Sequence, residues 1–259
     1  MKHLNKVLLA FILFPLFSLA QNNYQPGVAV NLKGDTLRGF INYNDWENNP
    51  KSISFKYETT GNPVKFTAND IKYFSVAIGH LAEYVRYIGP VSTDVTDINK
   101  IQIGRDTSFA QDTVFLKVLQ KGKNMLVFSY ADNLKTRYFI SGNFTEQPVE
   151  LAYRIYYNSI EKSSGDRTSY DNTFKSQLYD AAIRSNTMSD ALKNDIKTAE
   201  YREGDILNIS GKINGISTKD VSANNRSKMK PINKVLIIVG SIAIIFELIN
   251  EFAHVGSHN

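Results

Sequence analysis

The chain has 259 residues, 30 Lys and Arg against 25 Asp and Glu for a formal charge of +5, and no cysteine. The missing thiols exclude disulfides, thiolate metal sites and a lipidated N-terminal cysteine, so the fold must rest on burial of apolar side chains. The excess positive charge sits at the two ends, in Lys2 and Lys6 and between Lys219 and Lys234; the near-neutral body between them argues against binding of nucleic acid.

Residues 1–20 read as a signal peptide. Lys2, His3 and Lys6 form a basic start, Val7–Leu19 is apolar apart from Ser18, and Ser18-Leu19-Ala20 supplies the small residues of a cleavage site. The run is shorter than the roughly 20 apolar residues of a membrane span, and Pro15 interrupts it. Export with cleavage after Ala20 is expected.

Residues 21–158 carry the period-two alternation of antiparallel strands. Val28, Val30 and Leu32 alternate up to a hairpin turn at Gly34-Asp35, and Leu37, Gly39, Ile41 and Tyr43 alternate after it. A polar loop over 44–50 precedes Ile53, Phe55 and Tyr57; short strands over 64–66 and 71–76 and a longer one over 81–88 follow. Residues 89–112 are rich in Thr, Asp and Gly and read as a long connection. Segments 114–119, 125–130 and 136–140 form a meander, with turns at Lys121-Gly122-Lys123-Asn124 and Asp132-Asn133. The stretch 148–157 suits either a strand or a helix, and its Tyr and Ile content favours the strand.

After a polar break at 161–168, the period lengthens over 159–217. Phe174, Leu178 and Ala181 to Ile183 mark one short helix, Ser189 with Leu192 and Ile196 a second, and Asp205 with Ile206, Ile209 and Ile213 a third that Gly215 ends. Residues 218–233 form a basic polar linker. Residues 234–253 are expected to form a hydrophobic, membrane-anchoring helix. The uninterrupted run Val235–Phe246 is only 12 residues, about 18 Å of helix against a hydrocarbon core of about 30 Å. A span therefore needs Lys234, Glu247 and Glu251 at the headgroups. Arg226, Lys228, Lys230 and Lys234 would then lie on the exported side, against the positive-inside tendency. A helix docked on a protein or lying along a membrane surface is the alternative.

No residue set carries a specific chemistry. The four histidines are His3, His80, His254 and His258, so the body holds a single one, too few for a two-His metal site. Gly204, Gly211 and Gly215 lack the context of a phosphate loop. Asp94 with Asp97, and Asp45 with Glu47, offer paired carboxylates, but in turns where such residues cap backbone groups. No catalytic, metal or cofactor-binding residue is assigned and no cofactor is expected. Trp46, alone in its polar loop, is the candidate contact for a ligand or partner.

The stretch Gly34-Asp35-Thr36, Gly39, Ile41 and Tyr43, with Trp46, Pro50 and Ile53-Ser54-Phe55-Lys56, resembles a group of uncharacterised exported proteins of Bacteroidota. Phe115 to Leu119, Gly122, Tyr130 and Tyr138-Phe139-Ile140 resemble the group's second block. The helical block over 174–213 resembles its third, without the cysteine often found between those helices. The resemblance implies a shared fold and a Gram-negative envelope or secreted location, and no activity.

The expected fold class is α+β: an antiparallel β domain, three short helices and a C-terminal hydrophobic helix. The expected function is that of a non-enzymatic binding or structural module of the cell envelope, partnered by a membrane through Val235–Phe246 and by an envelope protein or glycan. The alternative is an exported hydrolase using loop carboxylates.

Overall fold

The computed structural model describes residues 23–158 and 168–216. The signal peptide at 1–20, the linker at 218–233, the hydrophobic helix at 234–253, and His254 and His258 lie outside the described residues.

Ten strands follow in chain order: β1 (Tyr24–Asn31), β2 (Thr36–Asn42), β3 (Ser52–Lys56), β4 (Val64–Thr67), β5 (Ile71–Ala77), β6 (Leu81–Ser92), β7 (Phe109–Gln120), β8 (Leu126–Ala131), β9 (Thr136–Ser141) and β10 (Val149–Glu150). They pair in the order β10-β9-β8-β7-β6-β5-β1-β2-β3-β4. The chain runs outward from β1 to β4, returns to lay β5 on the free side of β1, and continues as a second meander to β10. Two glycines make the first meander possible. Gly34 turns the first hairpin at φ +101, a conformation that only glycine adopts at little cost. Gly39 lies where β3 crosses close to β2: a Cβ there would sit 2.1 Å from the Lys56 carbonyl oxygen.

Alternation sorts side chains to two faces. Ala29, Ile41, Phe55, Phe74, Tyr84 and Phe115 share one apolar cluster. Leu116, Phe128 and Phe139 join Tyr87 and Val114 in another. Val127, Tyr138 and Ile140 point the other way from β8 and β9, toward three helices: α1 (Thr173–Arg184), α2 (Asp190–Thr198) and α3 (Glu203–Asn214). The helices bury Phe174, Leu178, Leu192, Ile196, Ile206, Ile209 and Ile213 against those strands. Ser189 caps α2 by accepting the Leu192 N–H at 3.2 Å, and Gly215 ends α3 in the left-handed region. The described residues are therefore α+β, with the helices stacked on one end of one sheet.

Several expectations shift. The long connection is shorter than 89–112, because β6 and β7 stay paired out to Ser92 and Phe109; polar residues at 111–112 are tolerated there because both faces of this end of β7 are open to solvent. The stretch 148–157 is extended but in two pieces. It breaks at Leu151, which is fully buried in the helical cluster. Its second piece, β11 (Arg154–Tyr157), pairs with β12 (Thr168–Asp171), a strand too polar to read from alternation. Leu32, Tyr57 and Ile183 are exposed rather than inward, since β1 and β3 end before the first two and the α1 stripe passes beside the third.

Three side-chain amides act as surrogate strands where the ladders stop. Asn49, in the 44–50 loop, accepts the Ala131 N–H at 3.0 Å and donates to the carbonyls of Phe115 and Ser129 at 2.7 and 3.1 Å, filling the splay between β7 and β8. Asn214 at the end of α3 accepts the N–H groups of Asn124 and Met125 at 3.0 and 2.9 Å and donates to the Met125 carbonyl. Gln177 of α1 accepts the Ala152 N–H at 2.8 Å and donates to the Glu150 carbonyl at 2.9 Å, beside β10. Each satisfies backbone groups that burial would otherwise leave costly.

Candidate functional site

The densest set of ionisable groups lies where the 93–108 connection crosses β9. Lys135, its side chain 2% exposed, places Nζ 2.7 Å from Asp94 Oδ1 and 4.0 Å from Glu150 Oε1. Glu150 also accepts from the Ser92 N–H at 3.0 Å and the Ser92 hydroxyl at 2.5 Å. Arg137, with no exposed side-chain surface, pairs with Asp132 at 3.0 Å, donates to the Ser92 carbonyl at 2.8 Å and stacks over Tyr130. Burial lowers the Lys135 ammonium pKa, and Asp94 and Glu150 oppose that shift. Burial alone would raise Asp132, but Arg137 and the N–H groups of Leu134 and Lys135 hold its carboxyl below the usual range. Asp94 Oδ2 and Arg137 Nη2 are buried without a hydrogen-bond partner among the described residues.

Asp94 and Glu150 are thus two desolvated carboxylates brought close by folding, but a buried ammonium lies against both. Neither lines the two cavities described next. An acid–base pair for hydrolysis needs carboxyl groups open to a cleft where substrate and water can enter.

The larger cavity, of about 530 Å³, is a groove between α1 and the β9–β10 loop. Gln177, Asp180, Ala181 and Arg184 recur at helical spacing along its α1 side, Glu146 and Gln147 come from the loop, and the buried Met125 and Ile140 contribute apolar surface. The loop is braced by Glu146, which accepts the Gly142 N–H at 2.9 Å and the Asn143 amide at 3.0 Å. The smaller cavity, of about 220 Å³, lies across the same loop and has an apolar wall of Val85, Val118, Phe128 and Phe144. Its polar end is Glu83, which accepts from Tyr73 Oη at 2.8 Å and pairs with Lys121 at 2.6 Å. Burial, then the Glu83 charge, pushes the Tyr73 hydroxyl pKa well up.

Trp46 is half-buried, with Tyr43, Phe74 and Tyr84 at ring-centroid distances of 4.8, 6.1 and 5.8 Å, all edge to face. Its ring packs on the apolar cluster shared by the first meander and β5 to β7, while its loop carries Asn49 to β8. The sequence-adjacent carboxylates are not brought together: Asp94 is buried on Lys135, whereas Asp97 faces Asn99 and Lys100. Asp45 accepts from the Tyr43 hydroxyl at 3.3 Å. His80 is exposed in the turn between β5 and β6, its carbonyl accepting the Ile78 N–H. Among the described residues no group of three or more His, Cys, Asp and Glu side chains is placed to hold a metal ion.

No family model, curated protein or solved structure matches this chain.

The groove and the buried cluster escaped sequence reasoning because each joins residues far apart in the chain. The polar residues Gln177, Asp180 and Arg184 at i, i+3 and i+7 on α1 are the local signal, and they equally describe a solvated helix face.

Proposed function

We propose that this chain is an exported cell-envelope protein whose β body binds or organises a partner without catalysing a reaction, held at a membrane by the segment Val235–Phe246. The observation that favours binding over hydrolysis is the Asp94–Lys135–Glu150 arrangement: these two carboxylates are committed to a buried cation and line neither cavity, and Glu83, the buried carboxylate at the smaller cavity, is held by Lys121 and Tyr73. Their geometry suits cross-linking of a loop to a sheet. The basic start, the short apolar run and the Ser-Leu-Ala ending support export, and the resemblance to exported Bacteroidota proteins supports an envelope location. Among the described residues no helix is long and apolar enough to cross a membrane, so anchoring rests on the C-terminal segment.

Two measurements test this reading. Affinity purification of the tagged mature protein from its native envelope is expected to recover a stoichiometric partner; recovery of the protein alone counts against a binding module. Carbonate extraction of membranes compares the full chain with a version ending at Ser217. The full chain is expected to stay in the pellet and the shorter one to wash off; equal release of both removes the anchor.

A further inference from the structure

We infer that the groove between α1 and the β9–β10 loop is the partner-binding site and takes an extended peptide segment. This rests on the binding-module reading above. The occupant follows from how the groove is built. Beside it, the outer backbone edge of β10 already accepts one amide partner: Gln177 donates to the Glu150 carbonyl and accepts the Ala152 N–H, as a neighbouring strand would. Val149, next along that edge, is 58% exposed. An extended chain entering here continues a pairing that a side chain has begun. The volume of about 530 Å³ lies in the range of sites for small ligands or a few residues of peptide.

The lining argues for a peptide over a glycan. Among the described residues it contains no aromatic ring to stack on a sugar face. Its amides and hydroxyls are engaged within the fold, Gln147 on the Ile88 carbonyl, Asn124 on Ile213, Ser141 on Asn143 and Ser185 on Ala181. Few polar groups are therefore left for a glycan beside the apolar surface of Met125, Ile140, Val149 and Ala181. That surface suits a small apolar side chain, and Glu146 and Asp180 outnumber Arg184, so acidic residues are disfavoured next to it.

Panning a phage-displayed library of random seven-residue peptides on the mature protein tests the site. The expected result is a consensus with a small apolar residue and no acidic neighbour. A synthetic peptide of that consensus should lose at least tenfold in affinity for Asp180→Trp and for Arg184→Trp, which place bulk in the groove from exposed positions. It should bind Lys193→Trp on α2, outside the groove, within twofold of wild type. Thermal melts of all three confirm folding, and two groove variants guard against one that does not fold. Failure to select a consensus, or equal binding by groove and control variants, overturns the peptide site. If an envelope partner is recovered in the purification above and its capture survives both groove variants, binding stands and this site falls.

Discussion

Buried charge is where single residues matter most. Lys135 stands between Asp94 and Glu150 with almost no exposed side-chain surface, and the desolvation of such a pair offsets much of its attraction. Removing one partner leaves the other charged and buried. Lys135→Met is therefore expected to destabilise the protein by about 3 kcal/mol, and Asp94→Leu combined with Lys135→Met to recover most of that loss. Urea unfolding midpoints of the two variants against wild type measure it; equal loss in single and double variants would show that the pair contributes more than its desolvation costs. Asn49, Gln177 and Asn214 illustrate the same rule for neutral groups. Their roles were not legible in the sequence, since an Asn or Gln looks alike whether it faces solvent or serves as a strand surrogate.

At the level of elements, the hairpins and helix ends follow local chemistry. Gly34 at φ +101 and the close approach at Gly39 are separate requirements, one of backbone conformation and one of space. Gly34→Val should cost about 2 kcal/mol through strain at positive φ. Gly39→Ala should cost about 3 kcal/mol or more, because the Lys56 carbonyl that it meets is backbone and must move. His80→Ala, exposed in a turn, should stay within about 0.5 kcal/mol. Thermal melts rank the three, and a neutral Gly39→Ala would contradict the close crossing of β2 and β3. The short strands were harder to read than these turns. β12 is polar and extended because β11 pairs with it and Arg154 and Arg105 bind Asp171 at 3.0 and 2.7 Å. No alternation announces such a strand.

For the whole molecule, the ion pairs that tie loops to the sheet set an acid limit. Burial would raise the Asp171 carboxyl, but Thr173, Arg105 and Arg154 hold it below the usual range, as Arg137 does for Asp132. Both groups bind protons less readily folded than unfolded, so the unfolded state takes up more protons as the pH falls. Their contribution is present above the unfolded value of about 4 and is lost as the pH drops through the lower folded values. Stability should fall steeply below about pH 4, and Asp132→Asn with Asp171→Asn should flatten that limb while lowering stability at pH 7. Denaturant midpoints from pH 2 to 7 read both effects; an unchanged slope in the double variant would assign the acid limit to other carboxylates.

The sequence by itself determined the class of the fold, the first hairpin, the central meander and the three helices with their stop at Gly215. These depend on period-two and period-3.6 burial and on turn geometry, which act within a few residues. Only the tertiary structure decided that β5 returns to β1, that the helices share a core with β8 and β9, and that Asp94 and Glu150 close on Lys135. It alone brings Gln177 to the edge of β10 beside the groove. Those outcomes depend on contacts between residues tens of positions apart, whose register is set by how whole faces pack and leaves no mark on the local pattern.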